Sequence, residues 1–145
     1  MIRYSNNKSS LQDIENHLFR CNKNFVPKLE SYVNISEYSK KIFEKAIRFE
    51  CFKNSVLIGL MAAYKKEKLY ITNVSTDPNF LKKGIGSTLM DMGESFCKLN
   101  NLKYIQLEVG PQNKKAINFY KKRGFEIKSI GLESWGKEIR YEKKL

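Results

Sequence analysis

The chain has 145 residues, of which 41% are hydrophobic and 29% are charged, and its formal net charge is +12. This length suits one domain over residues 1–145 and disfavours a second one. No apolar run approaches the roughly 18 residues of a membrane span, and the polar start lacks the apolar core of a signal peptide. We therefore expect a cytoplasmic protein without a membrane partner.

Charge and cysteine content restrict the kinds of ligand. Of the 27 basic residues, 22 are lysine and five are arginine, whereas bidentate recognition of phosphates and bases favours arginine. We therefore favour a small anionic ligand and keep a lysine-rich nucleic-acid binder as an alternative. Cys21, Cys51 and Cys97 show neither metal-ligand spacing nor a disulfide pattern, so we expect reduced thiols and no metal.

The N-terminal third is predicted to contain two helices. Apolar residues recur at helical spacing over residues 10–21, and Ser10 can begin this helix as part of a capping box. His17 lies beside the apolar stripe, so we expect a partly exposed histidine rather than a catalytic one. Residues 22–33 are predicted to be a loop, and a second helix follows with Asn34 as its cap.

From residue 48 onward the hydrophobic period changes from helical to extended. A three-strand meander is predicted, and Gly59 in its second strand indicates a bulge, a close backbone approach or simple tolerance. Together with the later elements, this meander predicts one α/β unit with a mixed sheet. The later elements are a helix with apolar positions Ile85, Leu89, Met92, Phe96 and Leu99, a strand at 103–109, a helix at 114–123, and strands at 125–130 and 138–143.

The stretch "PNFLKKGIGSTLM", residues 78–90, predicts an anion site. A strand ends just before it, a loop with two glycines follows, and a helix begins at Gly84. The first N–H groups of a helix lack partners, and its dipole favours negative charge there. Lys82 and Lys83 add charge, while Ser87 and Thr88 offer hydroxyl groups. The alternative is a glycine-rich turn whose lysines only face solvent.

A second stretch, "LEVGPQNKKAINFYKKRGF" at residues 107–125, follows at the distance that one helix and one strand require. With this pair of motifs, the sequence resembles the GNAT family of acyl-CoA-dependent N-acetyltransferases over residues 48–145. Leu81 stands where the family usually has Gln or Arg, which removes one side-chain contact. The first motif corresponds to residues 81–86, and the second to Asn113, Ala116, Phe119, Tyr120, Gly124 and Phe125.

The resemblance implies a fold and a cosubstrate. The fold would be an α/β (α+β) domain with a mixed, mostly antiparallel twisted sheet of six to seven strands, about four helices, and splayed central strands that form the cofactor cleft. The backbone of Val74, Ser75 and Thr76 would pair with the pantetheine arm of acetyl-CoA, and Asn113 would face the arm from the other side. The pyrophosphate would lie against Lys82, Lys83, Gly84, Ile85, Gly86, Ser87 and Thr88.

Two residues are candidates for catalysis. Tyr120 occupies the position of the family's acid, and it would also contact the cosubstrate. Glu108 lies 12 residues earlier, a spacing that resembles the N-terminal acetyltransferases that modify a ribosomal protein. We expect partial burial to raise the pKa of Glu108 toward neutrality. The structural alternatives are a paired strand carboxylate and a core aromatic residue, and Glu50 and Asp77 are reserve bases.

The predicted function is transfer of an acetyl group from acetyl-CoA to a primary amine of a small molecule or protein, by direct attack in a ternary complex. The oligomeric state would be a monomer or a homodimer. Glu133 and Trp135 could line the acceptor site or merely anchor a hairpin. Because the protein is basic, we expect a neutral or anionic acceptor rather than a polyamine. The alternative function is a module that binds CoA or nucleic acid without catalysis.

Overall fold

The computed structural model describes residues 1–133 and 136–145. Its strands form one seven-stranded sheet in the order β1-β2-β3-β4-β5-β7-β6. Neighbouring strands are antiparallel except for β4 and β5, which are parallel. The strands are β1 Ile2–Asn6, β2 Ile47–Lys53, β3 Val56–Lys65, β4 Leu69–Thr76, β5 Tyr104–Val109, β6 Glu126–Glu133 and β7 Gly136–Lys144.

Four α-helices accompany this sheet: α1 Leu11–Cys21, α2 Ile35–Lys45, α3 Ile85–Leu99 and α4 Lys114–Lys122. The predicted capping box at Ser10 is confirmed, and the Asn34 side chain caps α2 as expected. Within the predicted loop at 22–33, two short 3-10 turns form. In the described part of the chain, no helix combines the length and the apolar character that crossing a membrane requires.

The helices cover both faces of the sheet, so the core has two halves. On one face α3 and α4 pack on the strands, with Ile85 and Leu89 among the buried residues. On the other face α1 and α2 do so, with Ile14 and Ile42 among the buried residues. Strand β3 is buried on both faces, which explains its nearly continuous apolar sequence. The predicted α/β class with a mixed, mostly antiparallel sheet is confirmed.

Gly59 permits a close approach between β3 and α3. A Cβ atom at this position would lie 2.5 Å from Cγ2 of Ile85 and 3.2 Å from Cβ of Cys51. The pairing of β2 with β3 also changes register beside this glycine, between Cys51 and Phe52. Gly59 therefore marks both a close backbone approach and a bulge, and simple tolerance of the glycine does not explain it.

Two features differ from the sequence prediction. Strand β1 was not predicted, because its few residues sit in a polar segment and pair only along one edge of the sheet. In α3, the predicted Leu99 is 84% exposed, whereas the other four predicted positions are buried or pack on the core. Gly93 is buried instead, where a Cβ atom would lie 2.5 Å from Cε of Met61.

The central parallel strands separate after a short contact. β4 and β5 pair only at Leu69 with Ile105 and at Tyr70 with Gln106. Among the described residues, β4 is paired with β3 alone beyond this point, and the register of that pair shifts between Ile71 and Asn73. The result is a cleft between the carboxyl-terminal halves of β4 and β5, as the resemblance implied.

Candidate active site

The cleft contains three adjoining cavities. The first, here called the α4-side cavity, has a volume of about 300 Å³. The second, the central cleft, shares Val74, Asn113 and Tyr120 with the first cavity and also contacts Glu108. The third, the tyrosine pocket, lies on the α1 and α2 side, has a volume of about 370 Å³ and shares Glu108 with the central cleft. The α4-side cavity is lined by residues that include Val74, Ser75, Thr76, Gly86, Asn113 and Tyr120, and the tyrosine pocket by residues that include Tyr32, Tyr38, Tyr64 and Tyr70.

The beginning of α3 differs from that of the other helices. Side chains of Ser10, Asn34 and Asn113 cap α1, α2 and α4, but the Gly84 position before α3 has no side-chain cap. Gly84 has a φ of 76°, in the left-handed region that favours glycine. A Cβ atom there would have no neighbour within 4 Å. The first amides of α3 are therefore left for a ligand, and the helix dipole favours an anion.

The predicted anion-site residues take different positions. Lys82 and Lys83 are exposed beside the uncapped helix end, and Gly86 borders the α4-side cavity. The side chain of Ile85 is buried in the core, so only its backbone could contact a ligand. The Thr88 hydroxyl donates to the Gly84 carbonyl at 3.1 Å, so its proton is directed to the helix.

The predicted pantetheine strand borders the same cavity. Val74, Ser75 and Thr76 all line the α4-side cavity, and among the described residues this part of β4 has no strand partner on the side facing β5. Asn113 lines it from the other side, and its side-chain oxygen accepts a hydrogen bond from the amide of Ala116 at 3.3 Å. The cap of α4 thus holds this residue at the cleft.

Tyr120 lies at the junction of the α4-side cavity and the central cleft. Its ring packs edge-to-face against Phe119 and Phe125, with ring centroids 5.2 Å and 5.4 Å away. Burial raises the pKa of the Tyr120 phenol well above its ordinary value of 10. The hydroxyl group therefore keeps its proton throughout the neutral range.

Glu108 borders the central cleft, but the expectation of its burial is wrong. Alternation along β5 buries Leu107 and Val109, while the Glu108 side chain is on the opposite face and 41% exposed. Its Oε2 lies 3.8 Å from Nε of Arg140, the residue directly across on β7. The structure nevertheless brings Glu108 and Tyr120 to the same cleft.

The two reserve bases have structural environments. Glu50 is fully buried, and its carboxylate accepts hydrogen bonds from the amides of Lys8 and Ser9 at 2.8 Å and 2.9 Å. It also pairs with Arg48 at 3.4 Å. The Asp77 carboxylate pairs with Nε of Arg20 at 2.9 Å and caps the turn that follows β4. Neither residue lines the central cleft.

The expectation of a partly exposed His17 is wrong. The side chain is fully buried, and its Nε2 lies 2.9 Å from Oγ of Ser75 on β4. Burial, followed by the positive charge of Arg20, lowers the pKa of His17 to about 4. The sequence contained a signal for this burial, since His17 lies three residues after Ile14 and four before Cys21, both on the buried face of α1.

The tyrosine pocket was not predicted. Its tyrosines come from four separate parts of the chain, so no local pattern joins them. Glu138 of β7 lines it together with Glu108. Trp135 and the side chain of Glu133 lie outside the described residues. Within the described ranges, the cysteines are free and buried, and no cluster of three or more candidate metal ligands occurs.

A sheet with splayed central strands beside a glycine-led helix defines the N-acetyltransferase type of fold. Residues 11–125 match the sequence model of the acetyltransferase (GNAT) family, so the chain belongs to this family. The resemblance recognised in the two motifs is confirmed.

Individual relatives agree with this assignment. An uncharacterized N-acetyltransferase of Methanocaldococcus jannaschii is 33% identical over 95 residues, which cover 60% of this chain and 42% of that protein. The matched segment thus spans less than half of that relative. The PaiA N-acetyltransferase of Thermoplasma acidophilum, crystallised with coenzyme A, has a TM-score of 0.79 and 21% identity over 100% of this chain and 99% of its own. The ribosomal-protein-S18-alanine N-acetyltransferase of Escherichia coli has a TM-score of 0.79 and 16% identity over 99% and 94%.

Proposed function

We propose that residues 1–145 form an N-acetyltransferase domain that transfers the acetyl group of acetyl-CoA to a primary amine by direct attack in a ternary complex. The observation that carries this proposal is the continuous cleft between β4 and β5. The uncapped end of α3 borders the α4-side cavity through Gly86, and Glu108 and Tyr120 border the central cleft. Family membership and the coenzyme A in the Thermoplasma structure support the same conclusion.

The residues present fit acetyl-CoA. Among the described residues, β4 and β5 form no strand pairs after Tyr70, so the backbone groups of Val74, Ser75 and Thr76 could bond to an extended chain of amides, as an added strand would. The amides of Ile85 and Gly86 would hold the diphosphate, and Lys82 and Lys83 would add charge. Leu81 lines the α4-side cavity with an exposed, apolar side chain, so binding there relies on the backbone.

Acetyl-CoA would supply an acetyl group activated as a thioester. The acceptor must lose a proton before it can attack, and the Glu108 carboxylate at the central cleft would accept that proton directly or through one water molecule. On the other side of the cleft, the Tyr120 hydroxyl would donate a hydrogen bond at the position of the sulfur. The pKa of an ordinary thiol is about 8.5, which is lower than the pKa of the Tyr120 phenol. The phenol would therefore keep its proton and would stabilise the leaving thiolate by donating a hydrogen bond to it.

Two measurements test this proposal. Acetyl-CoA is expected to raise the melting temperature, because a ligand that binds only the folded state stabilises it. Amines from a broad panel are then tested for release of free thiol from acetyl-CoA. Stabilisation without thiol release for any amine would favour a module that binds CoA without catalysis. Stabilisation by an anionic polymer but not by acetyl-CoA would favour a nucleic-acid binder.

The role of Glu108 has its own test. We expect Glu108→Gln to lower kcat by about 10-fold to 100-fold with little change in the affinity for CoA. The matched control is Glu126→Gln, which removes the same charge from an exposed position on β6. Equal rates in wild type and Glu108→Gln would remove the proposed role of this carboxylate.

A further inference from the structure

The chemistry of the tyrosine pocket is unlike that of the protein surface. The chain carries a net charge of +12, yet in the part of the chain that the structure describes, no lysine, arginine or histidine lines this pocket. The charged residues that line it are Glu108 and Glu138. Arg140 pairs with Glu108 at 3.8 Å and partly offsets this charge. The pocket is therefore a locally acidic site in a basic protein.

The acidic groups lie at one end of the pocket. Glu108 and Glu138 also border the central cleft, where the reaction would occur. Leu29, Val33 and Tyr64 line the tyrosine pocket without bordering the central cleft. A molecule in this pocket would thus meet carboxylates at the reacting end and apolar or aromatic groups at the far end.

A lysine lies beside the far end of the pocket without lining it. At the far end, Nζ of Lys41 lies 5.6 Å from the centre of the Tyr64 ring. This ammonium would repel a second positive charge on a bound molecule.

The size of the pocket restricts the molecule that it could hold. Its volume of about 370 Å³ is at the lower end of the range for small-molecule sites. Tyrosine rings from four parts of the chain line it, and aromatic rings suit an aryl or apolar body.

We propose that the tyrosine pocket binds the acceptor, and that the acceptor is a small primary amine with a single positive charge and an uncharged aryl or apolar body. This inference rests on the proposed acetyl transfer. It replaces the expectation of a neutral or anionic acceptor, which was based on the net charge of the whole chain. The ammonium end would lie at Glu108 and Glu138, and the body would lie among the tyrosine rings.

The test compares three primary amines with wild-type protein and saturating acetyl-CoA. These are 2-phenylethylamine, phenylalanine, which adds a carboxylate, and 1,4-diaminobutane, which adds a second ammonium. We expect kcat/KM for 2-phenylethylamine to exceed that of each of the others by at least 10-fold. A preference for phenylalanine or for 1,4-diaminobutane would overturn the inference while leaving the acetyl transfer intact.

A binding measurement separates this inference from the proposed function. Chemical-shift changes on addition of 2-phenylethylamine to the CoA-bound protein report occupancy of the pocket without requiring turnover. We expect changes at Tyr38 and Tyr64, and their absence would overturn the inference. Glu138→Gln is expected to raise the KM for 2-phenylethylamine about 10-fold with kcat and CoA affinity retained, whereas Glu126→Gln should change none of these values. An unchanged KM in Glu138→Gln would also count against the inference.

Discussion

The two ends of the cleft present different parts of the chain to their ligands. The α4-side cavity offers backbone groups, namely the unpaired edge of β4 and the uncapped amides after Gly84. The tyrosine pocket offers side chains, chiefly aromatic rings and two carboxylates. A substitution leaves the backbone N–H and C=O groups in place. In a pocket lined by side chains, it alters the shape and the charge of the site. In the proposed function, the first end would suit one constant ligand, and the second end would determine which amine reacts.

If the reaction takes place in the cleft, ionisable groups outside it should affect the free energy of unfolding but not turnover. Glu50 is the group for which we expect the largest effect. Its buried carboxylate joins β2 to the segment after β1 through Lys8, Ser9 and Arg48. We expect Glu50→Ala to lower the free energy of unfolding by about 4 kcal/mol, because it leaves the Arg48 charge buried without its partner. Urea denaturation measures this loss. At a temperature where the variant is folded, turnover should equal that of wild type, and lost turnover in a stable variant would return Glu50 to the list of bases.

His17 tests the support beneath the cleft. Its Nε2 bonds to Ser75, whose hydroxyl donates to the side chain of Asn73 at 2.8 Å, so α1 holds a residue of the tyrosine pocket in place. The folded-state pKa of about 4 lies below the ordinary value of 6.5. Between these values the unfolded chain binds more protons than the folded one, so stability rises with pH.

The contribution of His17 is thus fully present above about pH 6.5 and is lost as the pH falls toward 4. The shift corresponds to about 3 kcal/mol. Unfolding free energies at pH 7, 5.5 and 4 should decrease more steeply for wild type than for His17→Gln. Because Arg20 and Asp77 face this histidine and are present in both proteins, the difference in slope isolates His17. Equal slopes would contradict the buried, neutral state of its ring.

Gly84 tests the backbone end of the cleft directly. A β-branched residue disfavours the left-handed conformation that Gly84 adopts at φ 76°. We expect Gly84→Val to weaken CoA binding about 30-fold, or by about 2 kcal/mol, because the first amides of α3 would be turned from the diphosphate. Isothermal titration measures the affinity. The control is Gly131→Ala, since a Cβ atom at Gly131 has no neighbour within 4 Å and its φ is not positive. Equal affinities in the two variants would remove the uncapped helix end from the site.

Local sequence signals account for what could be predicted of this molecule. The caps at Ser10, Asn34 and Asn113 lie within a few residues of the amides that they satisfy, and the glycine-led turn before α3 is one contiguous segment. Strand β1 was missed because its pairing partner lies more than 40 residues away. The burial of Glu108 was misjudged for a related reason, since the apolar neighbours of a strand residue face the opposite side of the sheet.

The tyrosine pocket shows the limit of such signals. Tyr32, Tyr38, Tyr64 and Tyr70 come from a loop, a helix and two strands, and only tertiary packing brings them together. Their chemistry also opposes the average of the sequence, because the pocket is acidic in a chain with a net charge of +12. The net charge of the whole chain therefore does not describe the charge of this pocket.

Tyr120 lies between the two ends, and its replacement has the smallest expected effect. Tyr120→Phe keeps the ring that packs on Phe119 and Phe125 and removes only the hydroxyl. We expect kcat to fall about 10-fold, which is the loss of about one hydrogen bond, with CoA affinity within about 2-fold of wild type. Because burial raises the pKa of this phenol above its ordinary 10, wild-type kcat should not decline through phenol ionisation as the pH rises to about 10. Stopped assays of thiol release from pH 6 to 10 measure the kcat of the variant and the pH dependence of the wild-type kcat. An equal loss of CoA affinity and kcat would make Tyr120 a packing residue of the backbone end, whereas a loss in kcat alone would assign its hydroxyl to the reaction that joins the two ends.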